Sequence, residues 1–192
     1  VEYITHSISR IVSYYEANVF INYRRPQEQV KNIMYLNYAS AVQGALGSAL
    51  DMHKEYLAIS ISSELVTPEY IENCIREYYR ENPQSIIAPP EAAITVYEGT
   101  KPPKLIEIEL AYPYTAEQNA EMRRVLAVKA QKLMEKTKEE PDEYLALDLC
   151  SALISASEYS PEGASNAFGT LIRGSGNSEG FAMAYKLLCS MY

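Results

Sequence analysis

Ser178 stands in the run Gly174-Ser-Gly-Asn-Ser-Glu-Gly180, where small residues lead into an apolar stretch with helical spacing. A side chain in the first turn of a helix meets unpaired peptide N–H groups and the positive end of the macrodipole, and both favour an anionic nucleophile. A thiol in that place ionises readily. An aliphatic hydroxyl stays protonated at neutral pH and depends on a general base. The chain has two histidines, His6 and His53, both far upstream of residue 178. His53, in Asp51-Met-His-Lys54, reads as a solvated turn residue, and His6 as a surface residue near a terminus, so neither is expected to be that base. Ser178 followed by Glu179 is also an ordinary helix start, in which the serine only caps.

The other residues with chemical potential carry less. Gly174-Ser-Gly-Asn before a helix could cradle an anion, but no strand is read before it and the dinucleotide fingerprint is not met. Cys74, Cys150 and Cys189 are odd in number, lack CxxC spacing and fall in helix-like segments, which reads as three buried free thiols. Arg24-Arg25 reads as a solvated strand end, and Glu107 and Glu109 as the exposed face of an alternating strand. No metal-ligand spacing is recognisable, and no cofactor is expected.

Composition narrows the setting in which such a site would work. The 192 residues suffice for one large or two small cores, and the net charge of -8 argues against nucleic acid or an anionic membrane as partner. No apolar run is long enough for a transmembrane span. The first residue is Val, with no basic segment followed by an apolar one, so the start reads as processed or trimmed. Removal of a signal peptide would leave the same start, so secretion or cell-surface exposure is the expectation, with a cytoplasmic location as the alternative. Tyr is abundant, 17 against 3 Phe and no Trp, which supplies amphipathic area for interfaces.

The elements that would position Ser178 follow from periodicity. Ile8 to Tyr23 is rich in β-branched and aromatic residues and reads as one strand; Pro26 suits the first turn of a helix, and Gln29 to Met52 has the spacing of one long helix. A strand is expected over Glu55–Ser62, then a helix capped by Thr67 with Pro68 at its first position, running to about Glu81. Ala92–Tyr97 and Lys104–Tyr112 form a hairpin across Glu98–Pro103. Thr115-Ala-Glu-Gln118 is a capping box opening a helix to about Lys136, and Glu139–Asp142 breaks it. A helix over Asp142–Ser157, a loop with Pro161 and Gly163, a short piece at Ala167–Ile172 and a terminal helix from Ser178 complete the chain. The fold class is therefore α+β: residues 1–113 form a small, mostly antiparallel sheet with two helices, and residues 114–192 are helical.

The segment Asn166 to Cys189 resembles the nucleophile segment of bacterial transglutaminase-like proteins, a papain-related superfamily. Asn177-Ser178-Glu179-Gly180-Phe181-Ala182 keeps the frame, with Ser178 at the position of the family's nucleophilic Cys. A looser likeness reaches back to about Thr115, with Leu145–Tyr159 resembling the helix before the nucleophile loop. The resemblance implies that residues 114–192 are the first half of a papain-like core. It also implies a parent activity on protein amide bonds, as a cysteine peptidase or a cross-linker, with a His and an Asp that follow the nucleophile helix and are absent from this chain. Three accounts of Ser178 stay open: a naturally degenerate site, a Cys replaced by design in a peptidase or transglutaminase, and a plain helix start. The expectation is an inactive or truncated relative that binds protein or peptide or serves structure. The stripe Phe181, Tyr185, Leu188 and Tyr192 would then need cover from the amino-terminal module or from a second copy of the chain.

Overall fold

The computed structural model describes residues 3–22, 25–97, 102–135 and 144–191. The first element is a hairpin of β1 (Tyr3–Ile11) and β2 (Tyr14–Asn22), paired antiparallel from Tyr3↔Asn22 to Ile11↔Tyr14. The single strand expected over Ile8–Tyr23 is thus two strands. Their turn, Val12-Ser13, lacks the Gly or Asn that marks a two-residue hairpin, so the β-rich run hides it.

The long helix expected over Gln29–Met52 is likewise interrupted. Pro26 precedes a short α1 (Gln27–Lys31), β3 (Met34–Leu36) follows, and α2 (Ala39–Asp51) is the helix proper. Met34 and Leu36 satisfy a period of two as well as they satisfy helical spacing. Parallel pairing of β3 with Ile59–Ile61 of β4 (Tyr56–Ile61), a contact invisible to local pattern, selects the strand.

Elsewhere the local signals and the structure agree. Thr67 Oγ1 accepts from Tyr70 N–H at 3.1 Å and caps α3 (Pro68–Glu81), whose Ile71, Cys74, Ile75 and Tyr79 face the core. The strands β5 (Glu91–Tyr97) and β6 (Lys104–Ala111) pair antiparallel, and the sheet order is β3-β4-β6-β5. Residues 98–101 of the expected connection and the break at Glu139–Asp142 lie outside the described residues. The capping box opening α4 (Ala116–Glu135) is reciprocal: Gln118 N–H donates to Thr115 Oγ1, and Thr115 N–H donates to Gln118 Oε1. Then follow α5 (Leu145–Ala156), β7 (Glu158–Ala164), a π-helical turn (Gly169–Arg173), β8 (Ser175–Gly176) and α6 (Ser178–Ser190). The expected loop at Pro161 and Gly163 is β7, which pairs in parallel with β8, so the second half is not wholly helical.

One hydrophobic core runs through both halves. The inner face of the sheet (Leu57, Ile59, Ile61, Ile106, Ile108, Leu110) joins α2 and α3, and the cluster continues through α4 to Leu149, Leu153, Leu187 and Leu188 of α5 and α6. Leu188 is fully buried, and Phe181 and Tyr185 are half-buried against this cluster. The chain's own α5, α4 and π-helical turn contact α6, so this stripe is covered from within the helical half. Tyr192, its last member, lies outside the described residues. Cys74 is buried as expected, but Cys150 and Cys189 are exposed, on the outer sides of α5 and α6.

Candidate functional site

Residue 178 is held by packing that tolerates only small neighbours. Asn177, not Ser178, caps α6: its Oδ1 accepts from Gly180 N–H at 3.0 Å, and its own N–H donates to Ala164 O at 3.0 Å. The capping role expected for Ser178 therefore falls to its neighbour. Gly176 and Gly180 explain the small-residue frame. A Cβ on Gly180 would stand 2.1 Å from Ala164 O and 2.5 Å from Thr170 Oγ1, and one on Gly176 would stand 2.2 Å from the same Thr170 oxygen. Thr170 itself is fully buried and donates from Oγ1 to Asn166 O at 3.0 Å, while Ser157 Oγ donates to Thr170 O at 2.7 Å. The loop, the π-helical turn and the helix start form one interlocked block.

On this block Ser178 is exposed. Its Oγ lies 3.4 Å from Tyr159 OH, and the Tyr159 ring is tilted against Phe181 at 6.2 Å between centroids. Glu179 pairs with Arg80 at 3.1 Å, and Lys186 pairs with Glu81, so α6 is also tied to the end of α3. Neither histidine contributes. His6 projects from exposed β1, and the contacts of His53 are with Tyr112 and Tyr114. The arrangement can present a side chain at a helix start next to a phenol; it supplies no imidazole to take a proton from the Ser178 hydroxyl.

His53 is not the solvated turn residue expected. It sits one residue past the C-cap of α2 with φ 53°, where His53 N–H donates to Leu50 O at 3.1 Å and Lys54 N–H donates to Ala49 O at 2.9 Å. That is a Schellman turn, usually closed by Gly, and a side chain held there costs roughly 1 kcal/mol. The ring is fastened in return: it stacks on Tyr112 with centroids 3.8 Å apart, and its Nε2 lies 3.0 Å from Tyr114 O. A carbonyl only accepts, so Nε2 carries the proton and, in the neutral ring, Nδ1 is the acceptor. Burial, with Glu55 nearby, pushes the Tyr112 phenol up to about 12.

The second departure is on the outer face of the sheet. Glu107, expected to be solvated, has a side chain only 7% exposed; it accepts from Tyr56 OH at 2.9 Å, Tyr97 OH at 3.0 Å and Arg25 at 3.1 Å. Burial opposes its charge, but these donors prevail and hold its carboxyl below the usual range. Arg25, expected at a solvated strand end, bridges Glu107 and Glu109 and lies 5.7 Å from the Tyr56 ring centroid. Glu109 is exposed as expected, and Arg24 lies outside the described residues. Alternation already puts Glu107 and Glu109 on one face of β6. Only the register, with Glu107 opposite Ala58 and Thr95, shows that tyrosines from both neighbouring strands close over it.

Beside this cluster, at the Glu55/Glu91 end of the sheet, lies an open cleft of about 1010 Å³ that reaches the first turn of α4. Its lining includes Glu55, Glu91, Glu109 and Glu117, with Tyr56, Tyr112, Tyr114 and His53. Among the described residues no group of His, Cys, Asp and Glu is arranged to hold a metal ion, and no helix is long and apolar enough to cross a membrane. No protein-family model matches this chain, and a search of curated proteins finds no match to it.

Proposed function

We propose that this chain is a non-catalytic transglutaminase-like protein whose activity is binding, and that a second copy of the chain is the partner its open surface fits. The observation that carries the reading is the hairpin β1–β2. From Ile4 to Asn22 every side chain but Ile11 is exposed. Cross-strand partners share a face of a pleated ribbon, so the register puts Ile4, Ile8, Tyr15, Ala17, Val19 and Ile21 on one side, with His6 and Arg10 among them. The other side is more polar, with Thr5, Ser7, Ser9, Glu16 and Asn18, though Phe20, Tyr14 and Ile11 share it. Ile8 is 66% and Val19 59% exposed, on a ribbon too thin to be stable alone. An apolar face of this kind marks an interaction site.

Charge favours a second copy as the occupant. Between Tyr3 and Asn22 the formal charges are Arg10 and Glu16, which cancel, while the whole chain carries -8. Two such chains repel over most of their acidic surfaces and meet at least cost through the hairpin, whose docking side carries Arg10 as its formal charge and Glu16 on the reverse, face to face about a two-fold axis. Support for the transglutaminase-like part of the reading comes from the helix start: a glycine-locked loop delivers residue 178, exposed, at the first position of α6. In the parent family that place belongs to the thiol that attacks amide bonds. Here a hydroxyl without an imidazole occupies it, and the hairpin rather than α6 is the open apolar surface.

Sedimentation velocity at tens of micromolar, about the range in which interfaces of modest size assemble, tests the reading. The expected result is a dimer that Ile8→Lys with Val19→Lys converts to a monomer of unchanged helix content. A monomeric parent chain, or a dimer indifferent to both substitutions, would overturn it.

A further inference from the structure

We infer that the outer edge of β5 takes an extended peptide segment of another protein as an added strand of the sheet, antiparallel and with a basic residue beside Glu91. The direction of the backbone groups follows from one bond. Leu110 N–H donates to Glu55 O at 2.8 Å, so Leu110 turns its peptide groups toward β4. Successive residues of a strand turn them to opposite sides, so Glu109 and Glu107 face β5 and, in register, bond with Ala93 and Thr95. The N–H and C=O of Ala92, Ile94 and Val96 therefore point away from β6. β5 is the last strand in the order β3-β4-β6-β5, and among the described residues no backbone group bonds to these three from outside the sheet.

Open edges of this kind are normally guarded, because they are templates for a further strand. Here the guards are missing. Glu91-Ala-Ala-Ile-Thr-Val-Tyr97 contains no Lys and no Pro, and its ladder with β6 runs from Glu91 to Tyr97 without a bulge. The opposite edge, β3, is only three residues long. Ala92, Ile94 and Val96 are half-buried against the core and keep apolar surface at the edge, whereas Ala93 and Thr95 on the other face are small and exposed. A partner strand therefore needs apolar residues at every second position, beside Ile94 and its neighbours, and polar ones between them. The formal charge on β5 is Glu91, and among the described residues no Lys or Arg lies within ion-pair distance of it. A basic residue at the end of the added strand supplies the opposite charge. The β5 of a second copy would bring another Glu and no cation, so a segment of a different protein fits better, held by main-chain bonds and chosen by its alternate side chains.

Amide hydrogen exchange of the full chain, with and without the capped peptide Val-Thr-Val-Thr-Val-Lys, tests the assignment. Antiparallel pairing sets the peptide's valines opposite Val96, Ile94 and Ala92, and its lysine opposite Glu91. In the free chain the amides of Ala93 and Thr95, bonded to β6, should exchange slowly, and those of Ala92, Ile94 and Val96 fast. Saturating peptide should slow the latter group about tenfold or more and leave the former unchanged. N-methylation of the peptide's valines, whose N–H groups face β5, should abolish the slowing; N-methylation of its threonines, whose N–H groups face solvent, should preserve it. Ile8→Lys with Val19→Lys should leave the slowing as it is, so failure here is separate from failure of the hairpin dimer. No slowing up to about 1 mM peptide would overturn the assignment, as would equal loss from both methylated peptides. Slowing that grows with protein concentration in the absence of peptide would also overturn it, giving the edge to a second copy of the chain.

Discussion

The hairpin β1–β2 and the block around α6 use backbone in opposite ways. In the hairpin nine residue pairs form a ladder, yet from Ile4 to Asn22 every side chain but Ile11 stands in solvent, so the ladder and its turn carry most of its order. In the block from Ala164 to Phe181 few residues belong to regular strands, but Thr170, Gly176, Gly180 and Asn177 fix one another at van der Waals limits. Regular hydrogen bonding is therefore a poor guide to rigidity here. The block has a single way to pack, whereas the hairpin leaves Ile4, Ile8, Val19, Phe20 and Ile21 exposed.

The largest effect should come from breaking the block. Gly180→Ala forces a Cβ against Ala164 O and Thr170 Oγ1, and an expected loss of about 1–3 kcal/mol would appear as a lower denaturation midpoint. A similar loss from Val12→Thr at the hairpin turn would erase the contrast between the regions, since so exposed a substitution should stay within about 0.5 kcal/mol.

An intermediate effect should arise at Arg25, which begins the chain's path from the hairpin to the sheet. Glu107→Gln keeps the shape and removes the charge that Arg25, Tyr56 and Tyr97 share. A loss of roughly 1–2 kcal/mol is expected, reduced because Arg25 is one-third exposed and screened by water. The folded state depresses the Glu107 pKa, so its contribution is present above the unfolded value, about 4.3, and is lost as pH falls through the lower folded value. Acid unfolding curves should show that limb in the parent and not in Glu107→Gln.

The smallest effect on stability should be at Ser178 itself. Ser178→Ala should change the melting temperature little, because the residue is exposed and Asn177 supplies the cap. Ser178→Cys sharpens the comparison. A thiol at a helix start should react with iodoacetamide faster at mildly acidic pH than the exposed Cys150 and Cys189 do. Equal rates at all three would show that the block positions residue 178 without activating it, which would count against the transglutaminase-like reading.

Much of the local architecture is legible in the residues. Thr67-Pro68 starts α3, the Thr115/Gln118 box starts α4, and strict alternation in Lys104–Ala111 gives β6, because each signal acts within a few residues. The failures share a cause. Met34–Leu36 became a strand through pairing with β4, whose Ile59–Ile61 lie 25 positions further along and are folded back by α2 and its Schellman turn; nothing inside those three residues requires it. Likewise Glu107 lost its solvent to Tyr56 and Tyr97, and His53 lost its own to Tyr112, through contacts between segments distant in sequence.

The sequence by itself determined the caps of α3 and α4, the acidic balance and the small-residue frame that leads to Ser178. These are consequences of backbone sterics and short-range hydrogen bonding, which a residue carries with it wherever it is placed. Tertiary structure alone decided which carboxylate is buried, which histidine nitrogen is left as an acceptor and which apolar face stays open. Burial and solvation depend on what the remainder of the chain brings alongside, and that is set by packing across the whole core.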